Sequence, residues 1–102
     1  MKRRIRYRPL AERDVEDVAA WYDGERPRLG EEFVAAVHGL TGRVAENALQ
    51  FPMVRGTVRR ALLRRFPYAI FFVVENGVVA ILAVAHPSRG PGMLRDRLRS
   101  EG

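Results

Sequence analysis

VRRALLRRFPYAIFFVVENGVVAILAVAHPSR, residues 58–89, holds two apolar, β-branched runs, 68–74 and 78–84, joined through Glu75-Asn76-Gly77. Asn and Gly both tolerate the positive φ of a tight primed turn, so this spacing predicts a β-hairpin. An earlier run, 58–63, is separated from it by Arg64-Arg65-Phe66-Pro67. Pro67 cannot donate a ladder hydrogen bond, which places a turn or a sheet edge there. Three antiparallel strands follow. The two-residue period sets Ala69, Phe71 and Val73 on one face and Tyr68, Ile70, Phe72 and Val74 on the other. Both faces are apolar.

Working outward, IRYR at 5–8 alternates apolar with basic residues and stops at Pro9, as a short strand would. From 10 to about 25, Ala11, Val15, Val18, Ala19 and Tyr22 recur at helical spacing, with Glu12, Asp14, Glu16 and Asp17 near the N-terminus, where the helix dipole favours acids. Trp21 sits at the edge of that stripe, where it caps the core or stands in a partner groove; core is the preferred reading. Gly24 and Pro27 interrupt the pattern. Leu29, Phe33, Ala36, Val37, Leu40 and Val44 then restart it, predicting a second helix over 29–46 and hence a helical hairpin. Gly39 and Gly42 would each cost that helix roughly 1 kcal/mol relative to alanine, a cost accepted for close packing or a looser end. His38 reads as a solvated or boundary residue.

Residues 47–56, with Pro52 and Gly56, read as a loop pinned by Phe51 and Met53. The expected architecture is α+β in the order β-α-α-β-β-β, a helical hairpin packed on one face of a small antiparallel sheet. Residues 1–92 are expected to form a single domain and 93–102 a short basic tail that takes up a turn of helix only when packed or bound. Two helices cover one sheet face only, so the other needs the tail, a second copy or a partner protein.

The chain has 102 residues, 47% of them hydrophobic and 29% charged, the balance of one ordinary globular domain. The absence of cysteine excludes disulfides and thiol nucleophiles. Two histidines are too few for a metal centre without converging carboxylates, so neither metal nor cofactor is expected. No apolar stretch approaches a membrane span, and the basic N-terminus leads into no signal-like apolar region; a cytoplasmic protein is expected. Charge is segregated. Residues 1–9 carry five bases and no acid, 10–50 carry nine acids against four arginines, and 51–102 carry nine arginines against three acids. The basic flanks favour an anionic partner, nucleic acid or an acidic protein surface.

Arg59, Arg60, Arg64 and Arg65 precede the hairpin, Tyr68 opens its first strand, and His86 and Arg89 follow its last. Antiparallel pairing brings Tyr68 beside His86. Arginines hold phosphates through charge-assisted hydrogen bonds, and a histidine serves as acid or base near neutrality. A metal-free ribonuclease needs such parts; alternatively the arginines form a solvated sheet edge. Ser88, two residues from His86, lacks an orienting acid or oxyanion hole and is a poor nucleophile candidate.

AERDVEDVAAWY in the first helix, RPRLGEEF opening the second, and the run VRRALLRRFPYAIFFVVENGVVAILAVAH with its A-V-A-H-x-x-R ending resemble the RelE/ParE superfamily of bacterial type II toxin-antitoxin toxins. The resemblance spans residues 5–94 and is nearer the ParE-like branch. It implies a plasmid-stabilisation type of growth inhibitor, neutralised by a cognate antitoxin in a hetero-oligomer, with DNA gyrase as target. The RelE-like alternative is a ribosome-dependent mRNA endoribonuclease, for which Arg65, His86 and Arg89 would be catalytic. Arg59, Arg60, Arg64 and Tyr68 would contact target or phosphate. The ribonuclease branch commonly has Arg or Lys where Tyr68 stands, and a Tyr, Arg or His near the C-terminus; here His86 is present and no tyrosine follows it.

Overall fold

The computed structural model describes residues 2–99. Asn76 and Gly77 take positive φ, 53° and 77°, and close the hairpin in which β4 (Ala69–Glu75) pairs antiparallel with β5 (Val78–Ala85). β3 (Val58–Leu62) lies antiparallel on the other side of β4. The loop expected before β3 contains a 3-10 turn, Ala48–Gln50, and a three-residue edge strand, β2 (Met53–Arg55), folded back through Gly56 at φ 55°. β2 escaped the periodicity because all three of its residues are exposed.

β1 (Arg4–Tyr7) occupies the far edge, giving the order β1-β5-β4-β3-β2. It runs parallel to β5, Arg4 opposite Val78 and Tyr7 opposite Ile81, so the sheet is mixed rather than wholly antiparallel. The chain leaves β1 directly into α1 (Pro9–Glu25), whose first turn tolerates Pro9 because its amide would be unpaired there anyway. α2 (Leu29–Asn47) returns against it. α2 buries Phe33, Val37, Leu40 and Val44, and α1 buries Ala11, in one cluster with Ile70, Phe72, Val79 and Ile81 of the sheet.

The helices meet closely at Gly30. A Cβ there would lie 2.3 Å from the Ala19 carbonyl oxygen, and the Gly30 amide donates to Asp23 Oδ1 at 2.7 Å. Gly39 and Gly42 would meet nothing within 4 Å, so close packing requires neither. Trp21, expected in the core, is 60% exposed. Tyr22 takes the inward position, and the two rings meet edge-on at 5.1 Å.

Ala69, Phe71 and Val73 face the second side of the sheet, as the pleat requires. That side is covered from within the chain. The segment read as a tail forms α3 (Pro91–Arg99), which buries Leu94 against a cluster containing Val58, Phe71 and Leu82. Nine residues are too few for a helix to persist on propensity alone, so this one depends on docking. Arg8 donates to the carbonyls of Arg97 and Leu98 at 3.2 and 3.4 Å, supplying donors and positive charge where the helix ends.

A further tie crosses the sheet edge. The β4–β5 register slips between Phe71 and Phe72, leaving Leu82 as an extra residue, and β1 stops opposite Ile81. Beyond that point Asp14 of α1 accepts the Val84 amide at 2.9 Å, and Arg97 of α3 donates to the Leu82 carbonyl at 3.0 Å. Arg97 and Asp14 also bond each other in a fork, at 2.7 and 2.9 Å. The bulge therefore presents backbone groups that two helices from opposite sides of the sheet satisfy together. Among the described residues no helix is long and apolar enough to cross a membrane.

Candidate functional site

Ala69 pairs with Ala85, so the residues just outside the hairpin's open end, Tyr68 and His86, stand side by side. Their ring centroids are 5.1 Å apart at 57°. Tyr68 backs onto Phe33 at 5.6 Å and Tyr22 at 6.3 Å, while His86 is exposed. Burial, reinforced by the neighbouring Tyr68, pushes the Tyr22 phenol above its ordinary value. This end of the sheet is an aromatic floor with one accessible imidazole.

The arginines do not gather around it. Arg65 is hydrogen-bonded to Glu32 of α2, and its guanidinium lies 5.0 Å from the centre of the Phe66 ring. Glu32 also faces Arg26 at 3.4 Å. The Arg65 hydrogen bond is the main cause holding the Glu32 carboxyl below its ordinary value; burial opposes it, and the charges of Arg65 and Arg26 add to it. Arg59 donates to the Leu49 and Phe51 carbonyls at 3.2 and 2.7 Å, clamping the chain before β2. Arg59 thus ties the chain before β2 to β3, while Arg65 makes a surface ion pair with Glu32. Arg64 is exposed in the β3–β4 turn and has no ion pair among the described residues.

Arg60 alternates with Arg59 and so belongs to the α3 side of the sheet, opposite Phe71. There it lines a cavity of about 210 Å³ with Arg55 and Arg89. Val54, Phe71 and Leu94 contribute to the same wall. Arg89 reaches this place because its amide donates to the His86 carbonyl at 3.0 Å, turning the chain after β5. The Arg60 Nε is buried without a hydrogen-bond partner among the described residues.

The sequence-derived constellation is thus divided. Tyr68 and His86 come together; Arg65 and Arg59 are committed to structural partners; Arg60 and Arg89 meet on the other face of the sheet. Arg55 joins them and was missed because its strand reads as loop; the Gly56-Thr57 pair between Arg55 and Val58 was the signal for a hairpin there. Among the described residues, no group of three or more His, Asp or Glu side chains is arranged to hold a metal ion.

The same fold occurs in a chain of the chromosomal ParDE TA system from P. aeruginosa, with a TM-score of 0.75 at 19% identity over 83% of this chain and 96% of that one. A chain of the toxin-antitoxin complex RelBE2 from Mycobacterium tuberculosis aligns with a TM-score of 0.59 at 23% identity, over 84% and 99% of the two chains. At such identities the likeness is one of fold. No curated protein matches the chain by sequence. The model of the family described as the ParE toxin of type II toxin-antitoxin system, parDE, matches residues 5–91, and the chain belongs to that family of RelE/ParE-superfamily toxins.

Proposed function

We propose that this toxin acts in the cytoplasm by binding and inhibiting DNA gyrase, without a catalysed reaction of its own, and that a cognate antitoxin neutralises it in a hetero-oligomer. The observation that carries this reading is the division of the basic residues. A metal-free nuclease must place cations and a proton-transferring group around one phosphate. Here Arg65 is engaged by Glu32, while Arg60 and Arg89 line a cavity on the sheet face opposite Tyr68. The antitoxin reading draws on the family and on the two structural neighbours, whose names are those of toxin-antitoxin systems. Exposed Trp21, Leu49, Met53 and Leu62 offer a partner apolar ground.

The test is direct. Purified toxin should inhibit supercoiling by purified gyrase and leave mRNA on translating ribosomes intact. His86→Ala should retain inhibition within about threefold, the scale of an ordinary surface substitution. Added antitoxin should restore supercoiling.

One observation favours a second reading, a ribosome-dependent endoribonuclease: the exposed His86 imidazole packed against Tyr68. In that case mRNA is cut with normal supercoiling, and His86→Ala abolishes cutting while antitoxin binding persists. Codon-phased cuts from the parent protein would replace the gyrase reading.

A further inference from the structure

We propose that the cavity between β2, β3 and α3 is a carboxylate-binding site that receives an aspartate or glutamate side chain, flanked by apolar residues, from a partner protein. The proposal does not depend on which target the toxin poisons. Its lining holds three guanidiniums, those of Arg55, Arg60 and Arg89, and no acid. A guanidinium presents a planar fork that matches a carboxylate in two parallel hydrogen bonds. Arg60 Nε is buried and has no hydrogen-bond partner among the described residues, a donor whose desolvation none of them offsets. An anion entering the cavity would supply the acceptor.

Size and wall chemistry narrow the ligand. At about 210 Å³ the space is below the roughly 300 Å³ at which small-molecule pockets begin, and it suits one anionic group on a short stem. Phe71 and Leu94 give it apolar walls, and beside it the exposed edge strand β2 presents Met53 and Val54, 58% and 40% accessible. A phosphodiester, solvated on its outer side, would leave those apolar surfaces unused. An acidic residue between apolar neighbours uses both.

The experiment uses the full chain with ¹⁵N-labelled arginine, following the Nε–Hε resonance of Arg60, identified by its loss in Arg60→Lys. The probes are acetyl-valyl-aspartyl-leucine amide, its asparaginyl counterpart, inorganic phosphate and a uridylate trinucleotide. The aspartyl peptide should shift the Arg60 resonance saturably. The asparaginyl peptide, and the aspartyl peptide on Arg89→Gln, should each bind about tenfold more weakly, the scale of one charge-assisted hydrogen bond. Arg43→Gln, on the exposed face of α2, should bind within about threefold of the parent. Arg89 is itself exposed, so its variant should keep the parent's thermal transition. Equal binding of the two peptides, undiminished binding by Arg89→Gln, or an unmoved Arg60 resonance would each overturn the proposal. Tighter binding of phosphate or the trinucleotide would overturn it in favour of a nucleic-acid contact.

Discussion

Arg65 shows how one side chain's partner decides what it can do. Adjacent to the hairpin and unpaired in the sequence, it reads as a phosphate ligand; in the fold it is the hydrogen-bond partner of Glu32, 33 positions earlier. The pair has a pH signature. Because the Glu32 carboxyl titrates lower when folded than its ordinary 4.5, its contribution to stability is present above pH 4.5 and is lost as pH falls through the lowered value. Glu32→Gln should therefore melt below the parent at pH 7 and converge with it in acid. Thermal midpoints across pH 7 to 3 check this, and a constant gap would refute it. Gly30 and Gly39 give a second contrast within α2. Gly30→Ala forces a Cβ against the Ala19 carbonyl and should cost about 1–3 kcal/mol, the range of overpacking. Gly39→Ala meets nothing and should gain about 1 kcal/mol from helix propensity. Urea midpoints that moved in the same direction for both would contradict this.

α3 buries a single residue, Leu94, and is otherwise held by polar ties to Arg8, Asp14 and the Leu82 carbonyl. Asp14 holds it through Arg97 and also accepts the Val84 amide beside the β5 bulge, and both side chains of the pair are less than one-fifth exposed. Asp14→Ala leaves the Val84 amide without its acceptor and Arg97 without its counter-charge, and should cost about 2–3 kcal/mol in urea unfolding, with Asp14→Asn, which keeps a neutral acceptor, falling between it and the parent. An Asn variant as unstable as the Ala variant would show that the charge alone matters. Two helices, four of the five strands and the Asn76-Gly77 turn were legible because each rests on local chemistry: period, turn residues and proline. β2 was not legible, because all three of its residues are exposed. α3 was legible only as a turn of helix contingent on packing, because its stability comes from Leu94 entering a surface made by strands 9 to 36 positions upstream. The candidate site follows the same division. Tyr68 and His86 were placed together by strand pairing, whereas the partners that engage Arg59 and Arg65, the Leu49 and Phe51 carbonyls and Glu32, come near only in the assembled fold.

For the molecule as a whole, the helical hairpin and α3 sandwich a mixed sheet whose two faces are both apolar, so the covered second face no longer calls for a partner. Partners instead have the exposed apolar residues of α1 and of the β2 edge. The charge segregation read from the sequence persists in space, with Glu31, Glu32 and the acids of α1 on the helical side and Arg55, Arg60 and Arg89 on the other. The parallel pairing of β1 with β5 has one more consequence. Arg4 and Val78 are 74 positions apart, so the first strand finds no place until the last has been made. At roughly 5–20 residues per second, a nascent chain waits about 4–15 s with its N-terminus undocked. A ribosome stalled before β5 releases no toxin fold, and the cell's own translation rate sets the earliest moment at which the poison exists.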